Sequence, residues 1–277
     1  MTETPNAAQA IYWNEGAGPT WAAMQSPLDR QLEPLGRAAM AALALQPGDA
    51  VLDIGCGAGQ TTLQLAAAVG PTGRVVGADI SATLLAAARS RPDAPANAQF
   101  LEADAQAYPF EADRFDALFS RFGVMFFADP TAAFTNLHRA LKPGGRLAFV
   151  CWRRPDENPI MTLPMAAALQ HVPPPPPPEP GAPGPFAFAD PERVRGILTA
   201  AGFSDIALTP HDEKVGGGDL ETVLDVALKV GPLGALLREH PDKREAVLGA
   251  VRAVLAGHDG PDGVKLDSAT WIVTARA

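Results

Sequence analysis

Apolar and polar positions along the chain fall into two alternating rhythms. The runs AVLDIG (50–55), RVVGAD (74–79), AQFLEAD (98–104), FDALFS (115–120) and GRLAFVCW (145–152) are short and bounded by turn residues. They are rich in Val, Ile and Phe and alternate only weakly with polar residues, which suits strands covered on both faces of a parallel sheet. Between them, TTLQLAAAV, SATLLAAARS and PTAAFTNLHRAL carry apolar residues at helical spacing. In the last, Phe134, Leu137 and Leu141 fall on one face, and LKPGG (141–145) is a helix stop. Regular alternation of strand and helix predicts βαβ units in an α/β, doubly wound sheet spanning 46–152.

On either side the rhythm changes. Residues 28–45 (LDRQLEPLGRAAMAALAL) read as a helix on the sheet, within an N-terminal cap spanning 1–45. Tyr12, Trp13 and Trp21 crowd into the first 27 residues of a chain only 6% aromatic. After Trp152 the pattern breaks, and six consecutive prolines stand at 173–178. A polyproline run has no internal hydrogen bonds and acts as a stiff spacer, so 153–190 reads as a connector or lid insertion, with a docking site for a Pro-binding module as the alternative. Periodicity resumes with the helix PERVRGILTAAGF (191–203) and the short strand SDIALTP. Residues 219–257 then read as two or three helices of a lid, and ATWIVTARA (269–277) as a last strand.

Charge narrows the function. A formal net charge of −9 with no basic run argues against nucleic acid, which needs clustered Lys and Arg, and against an acidic membrane surface. The first residues lack a basic start and an apolar core, so no secretory signal is expected, and no apolar run approaches a membrane span. The two cysteines, Cys56 and Cys151, stand at the ends of two expected strands, which fits a reduced compartment and a cytoplasmic location.

The chemistry concentrates in VLDIGCGAGQTT (51–62), where an apolar run stops at Asp53 and Gly55, Gly57 and Gly59 follow. Glycines let backbone approach a ligand, and the helix beginning near Thr61 offers free N–H groups and a positive dipole end. A dinucleotide fingerprint requires G-x-G-x-x-G, but the last position is Gln60, so a nicotinamide oxidoreductase is disfavoured; the P-loop is absent too. Asp79, in GADIS (77–81), is placed to accept ribose hydroxyls, and Asp104, in EADA (102–105), the exocyclic amine of adenine. Singly, each acid is also what a helix cap or loop would carry. Together they stand at the carboxyl ends of consecutive strands.

The segments VLDIGCGAGQTT, VVGADIS, FLEADAQAYPF, FDALFSRFGVMFF and LKPGGRLAFVCW resemble class I S-adenosylmethionine-dependent methyltransferases, most of all the bacterial ubiquinone/menaquinone-type group. The likeness covers about 45–152; YWNEGAGPTW, KVGGGDLETVLDVALKVGPLGALL and WIVTARA resemble a small-molecule branch less specifically. The resemblance implies a Rossmann-like sheet of seven strands whose last, antiparallel strand (269–277) lies beside 204–210. It implies S-adenosylmethionine as cofactor, S-adenosylhomocysteine as product, and a small-molecule acceptor. Asp53, Gly55, Gly57, Gly59 and Thr61 would form the loop under the methionine part. Asp79 would hold the ribose, Ile80 would pack on adenine, and Asp104 and Ala105 would read its edge. Ser120, Arg121 and Phe122 would face the sulfonium and the acceptor.

Methyl transfer from a sulfonium is an in-line displacement and needs a base only when the acceptor must first lose a proton. Tyr12, Trp13, Trp21, Phe122 and Trp152, with Phe186 and Phe188, are expected to line an apolar or aromatic acceptor pocket, plain core packing being the alternative for each. No base stands out. Arg121, His171 and His211 are the candidates for catalytic contact, whereas His138, His240 and His258 read as surface or helix-end residues. No His/Cys/Asp cluster has metal-ligand spacing, so no metal is expected. Either a monomer or a homodimer is compatible with the sequence. A non-catalytic protein that binds S-adenosylmethionine or S-adenosylhomocysteine is the competing class.

Overall fold

The computed structural model describes residues 6–92 and 94–277; residues 1–5 of the expected cap lie outside them. Five parallel strands, β1 (Ala50–Ile54), β2 (Arg74–Asp79), β3 (Ala98–Glu102), β4 (Phe115–Arg121) and β5 (Leu141–Trp152), form the body of one sheet. β6 (Ser204–Gly218) and β8 (Gly263–Arg276) complete it, with the two-residue β7 (Asp259–Gly260) paired on β8. The order is β3-β2-β1-β4-β5-β8-β6, and β8 is antiparallel to both neighbours. This is the doubly wound, Rossmann-like sheet with an antiparallel last strand. All five residues of β1 are buried, as a central strand requires, whereas the edge strand β3 is only partly covered.

The helices that cover the sheet start where the sequence supplies caps. α4 (Gln60–Val69) follows Gly59. α5 (Ala82–Arg89) is capped by Ser81, α6 (Pro130–Ala140) by Asp129 and α8 (Pro191–Ala200) by Asp190, each side chain accepting a first-turn N–H. The N-terminal cap comprises α1 (Ala7–Ile11), a π-helical turn over Tyr12–Gly16, α2 (Gly18–Ala23) and the long α3 (Gln25–Leu43). α3 buries Leu28, Leu32, Leu35, Ala39 and Leu43 on one face. Over the carboxyl ends of the strands lie α7 (Pro159–Ala168), α9 (Leu220–Lys229) and α10 (Gly231–Glu239), while α11 (Arg244–Ala256) packs against α7 and α9.

Several boundaries differ from the sequence reading. α3 starts at Gln25 and ends at Leu43, because Ala44 turns left-handed (φ 51°). Leu141 is not the last residue of a helical face; it is already extended and opens β5. Lys142 precedes Pro143, and a residue before proline is pushed out of the helical region. SDIALTP is no short strand: its pairing with β8 continues through two register shifts to Gly218, and β8 correspondingly begins at Gly263. Pro210 is tolerated because β6 is the sheet edge. The six prolines at 173–178 form neither helix nor strand and are exposed. His138 is half-buried, its ring edge-on to Phe203 at 4.9 Å, because α8 and the turn after it close over α6.

One side chain fixes where β5 hands over to α7. Asn158 is fully buried; its Nδ2 donates to the carbonyls of Arg153 and Arg154, and its Oδ1 accepts the Ala269 N–H of β8 at 2.9 Å. Asn158→Ala strands the buried Ala269 N–H and removes a donor from the Arg153 and Arg154 carbonyls, and is expected to cost about 2 kcal/mol. Thermal unfolding should show a fall on the order of 5 °C; an unchanged melting temperature would contradict this anchoring role.

Candidate functional site

The order of the parallel strands reverses between β1 and β4, the switch point at which open α/β sheets bind ligands. A cavity of about 270 Å³ opens there, bounded by the loops after β1, β2, β3 and β4, by the cap and by the lid helices.

The loop after β1 puts Gly55, Gly57 and Gly59 in the left-handed region, at φ 66°, 55° and 86°. The three have different reasons. A Cβ on Gly55 would stand 2.7 Å from Gly123 Cα, so two loops close against each other there. A Cβ on Gly59 would meet Ala88 Cβ and the Phe100 ring at 2.9 Å; this glycine serves packing and does not border the cavity. A Cβ on Gly57 would meet nothing within 4 Å, and Gly57 does border the cavity. Only there does the missing side chain leave room for a ligand.

Asp53 lies behind the loop and does not border the cavity, which corrects its expected place under the ligand. It has no solvent exposure; its Oδ2 accepts the hydroxyls of Thr61 and Thr62 at 2.7 Å each, while Oδ1 has no partner. Burial pushes its carboxyl up to about 6, against the opposing hydroxyl bonds and the Arg121 charge. Asp53 therefore ties the first turn of α4 to β1. Thr61 borders the cavity but spends its hydroxyl on that tie.

Asp79, Ile80, Asp104 and Ala105 all border the cavity. Asp79 Oδ2 accepts the Gly57 N–H at 2.7 Å and Oδ1 the Ser81 N–H at 2.8 Å. Burial raises its carboxyl above the ordinary range, and these two backbone donors oppose the rise. Asp104 Oδ1 accepts Asn6 Nδ2 at 2.8 Å and the Gln106 N–H at 3.0 Å. Each carboxylate keeps further lone pairs for a ligand's O–H or N–H donors.

After β4 the residues separate in role. Ser120 does not face the cavity: its buried hydroxyl donates to the Ile54 carbonyl at 2.7 Å and so joins β4 to the end of β1. Arg121 borders the cavity and donates to Gln60 Oε1. Phe122, at φ 62°, stacks on Trp152 with centroids 4.2 Å apart and planes 10° apart, and both rings border the cavity. Trp13 and Trp21 also border it and meet edge-on at 5.5 Å.

Other expected site residues lie elsewhere. Tyr12 is exposed and does not border the cavity; helical geometry turns it away while its neighbour Trp13 points in. Phe188 is core, packed on Phe134 and Phe149, and Pro185 rather than Phe186 reaches the cavity. His171 is exposed on the turn after α7, and His211 sits on β6 near Glu213; neither borders the cavity, so neither is placed to take a proton there. Among the described residues no group of three or more His, Cys, Asp or Glu is arranged to hold a metal ion, and no helix is long and apolar enough to cross a membrane.

Sequence reasoning missed the cap's polar contribution. Asn6, Gln9, Gln25 and Asp29 border the cavity, and the Oε1 atoms of both glutamines are buried without a partner. It also missed which lid residues line the wall: Ile160, Met161 and Pro164 from α7, and Val226, Val230 and Leu233 from the α9–α10 region. Asp29 follows Leu28 on the buried face of α3, and that adjacency was the one signal available for it.

Comparison with known proteins supports the cofactor half most directly. A family described as "Methyltransferase domain" matches residues 51–145. A ubiquinone/menaquinone biosynthesis C-methyltransferase from Ectopseudomonas mendocina is 39% identical over 120 residues, 42% of this chain and 46% of that protein. A 2-phytyl-1,4-naphtoquinone methyltransferase from Nostoc sp. is 37% identical over 120 residues, 42% of this chain and 52% of that protein. The chain thus spans about half the length of the curated relatives it matches. Among solved structures, a phosphoethanolamine N-methyltransferase 2 from Haemonchus contortus superposes with a TM-score of 0.60 at 18% identity, covering 96% of this chain and 59% of that one. The [4+2]-cyclase SpnF superposes at 0.52 and 20% identity, covering 88% and 80%. These structural likenesses establish the Rossmann-like fold.

The buried Asp53 generates a pH signature. Its carboxyl titrates near 3.8 when unfolded and about 6 when folded, so the folded state holds the proton more tightly. Its contribution to stability is therefore full below about 4 and is lost as pH rises through about 6. In urea unfolding between pH 4 and 7, the wild type should lose up to about 3 kcal/mol relative to Asp53→Asn. Parallel pH profiles for the two proteins would contradict this.

Proposed function

We propose that this chain, whose residues 51–145 match a family described as "Methyltransferase domain", moves a methyl group from S-adenosylmethionine to a small apolar or aromatic metabolite. The observation that carries the reading is the left-handed Gly57, open to the cavity, with its N–H on the buried carboxylate of Asp79. That pairing offers a bare backbone surface beside a two-oxygen acceptor, which fits a nucleoside with two ribose hydroxyls.

When bound, the cofactor supplies a methyl group on a positively charged sulfur that leaves as a neutral thioether. Asp79 accepts the ribose hydroxyls. Asp104, held by Asn6 and the Gln106 N–H, accepts the adenine amine, with Ile80 and Ala105 as apolar walls. Trp13 and Trp21 cover the cavity from the cap side, while the Phe122–Trp152 stack supplies a flat aromatic wall. The side chains that α7, α9 and α10 contribute to the wall are apolar, which suits a neutral ring and disfavours a phosphorylated or carboxylated one on that side. The quinone chemistry named for the two relatives supports an acceptor of this apolar-ring class. No histidine among the described residues borders the cavity, so catalysis rests on alignment and on exclusion of water. That same feature favours one alternative: a protein that binds the cofactor or its product without transferring the methyl group.

Incubation with S-[methyl-³H]adenosylmethionine and fractionated lipophilic metabolites tests the proposal. Label should pass to a small molecule with the wild type. Asp79→Asn and Asp79→Ala should bind S-adenosylmethionine on the order of 100-fold more weakly while unfolding cooperatively. Normal affinity in both variants would overturn the assignment. Tight binding by the wild type with no transfer to any fraction would favour the non-catalytic alternative.

A further inference from the structure

A buried polar atom without a partner costs stability, and folded chains carry few of them. Among the described residues, two such atoms belong to residues that border the cavity, Gln9 Oε1 and Gln25 Oε1. Neighbouring polar groups are engaged within the chain: Asn6 on Asp104, Thr61 on Asp53 and Asp29 on Arg91. Gln9 follows Asn6 by one turn of α1, so it belongs with Asp104 to the nucleoside end. Gln25 stands elsewhere.

Gln25 opens α3, and helical hydrogen bonding runs through its junction with α2. The Met24 N–H donates to the Thr20 carbonyl at 2.9 Å, and the Leu28 N–H to the Met24 carbonyl at 3.1 Å. Trp21, Gln25, Leu28 and Leu32 therefore share one helical face, and all four border the cavity. Gln25 is the one polar residue in that stripe. α9 packs on α3 and brings Val226 and Ala227 to the same cavity, so the amide is set into the apolar half of the wall. A Leu or Met at this position would complete the stripe and leave no polar atom unpaired. The terminal torsion of glutamine is soft, so the amide turns at little cost to meet a donor in the cavity.

We infer that Gln25 sets the specificity for the methyl acceptor, its Oε1 accepting a hydrogen bond from a hydroxyl on an otherwise apolar ring. The inference rests on the proposed apolar-ring acceptor and narrows it to a hydroxylated one. A hydrocarbon ring would leave Oε1 unpaired, and an ionised carboxylate has no proton to give it. A phenolic hydroxyl supplies one donor to Oε1, while the remainder of its ring meets the apolar side chains of α9. A site built around an unpaired acceptor discriminates against the analogue that lacks the donor.

Two ring compounds of similar shape separate this role from a structural one: 1-naphthol carries the hydroxyl, and 1-methylnaphthalene carries a methyl group in its place. In equilibrium dialysis with the protein saturated by S-adenosylhomocysteine, the wild type should bind 1-naphthol on the order of 10-fold more tightly. Gln25→Met should reduce that preference to within about twofold, through weaker binding of 1-naphthol alone. Its affinity for S-adenosylhomocysteine should stay within about twofold of wild type, and its melting temperature should not fall, because an unpaired buried atom has been removed. A preference that survives in Gln25→Met, or a wild type that binds both rings equally, would overturn the inference. Weakened S-adenosylhomocysteine binding or a lowered melting temperature in the variant would also overturn it, in favour of a cofactor contact or a structural role. A wild type that binds neither ring would instead overturn the apolar-ring reading beneath it.

Discussion

Two carboxylates are buried at the carboxyl ends of adjacent parallel strands, and the site depends on how their burial is compensated. Asp53 has no solvent exposure and Asp79 meets solvent only where it borders the cavity, so most of their donors have to come from the chain. Asp53 draws two threonine hydroxyls and thereby fixes the first turn of α4. Asp79 draws the Gly57 and Ser81 N–H groups and thereby fixes the loops after β1 and β2. Ser81 in turn caps α5 and donates to the Trp13 carbonyl at 2.6 Å, which draws the N-terminal cap onto the same edge. Loop shape, helix start and cap position thus follow from one requirement, that buried acids be given donors.

The cavity inherits two unlike halves from this arrangement. Its floor is made of strand ends, whose loops expose backbone N–H groups and carboxylates; it suits a polar nucleoside. Its roof is made of helices that must bury apolar faces on the sheet and on one another, and those faces are what α7, α9 and α10 present to the cavity. The Phe122–Trp152 stack and the Trp13–Trp21 pair also border it. The match of the family covers 51–145 and stops short of the lid helices, so the floor is the half that this comparison supports. A fold shared with both a phosphoethanolamine N-methyltransferase and a [4+2]-cyclase leaves the chemistry to the site residues.

The sheet was legible because buried parallel strands leave near-continuous apolar runs, and β1 to β5 sit on those runs. Asp79 and Asp104 were legible because each ends such a run before a turn. Asp53 and Gly59 look the same in sequence as residues that touch a ligand, yet depth below the loop separates them: one ties α4 to β1, the other packs on Ala88 and Phe100. Tyr12 and Trp13 are neighbours of equal promise, and only the helical turn decides which faces in. Phe188 carried no mark to distinguish a pocket aromatic from a core one. Asn6 and Asp29 were harder to read because their partners are far away in sequence: Asn6 meets Asp104 across 98 positions and Arg91 meets Asp29 across 62.

The most direct test of the floor is a crystal structure of the protein with S-adenosylhomocysteine. The expected result places both ribose hydroxyls on Asp79, the adenine amine on Asp104 and the homocysteine chain over the open face of Gly57. A nucleoside seated away from Asp79, or a Gly57 face left uncovered by bound ligand, would contradict the assignment of this cavity to the cofactor.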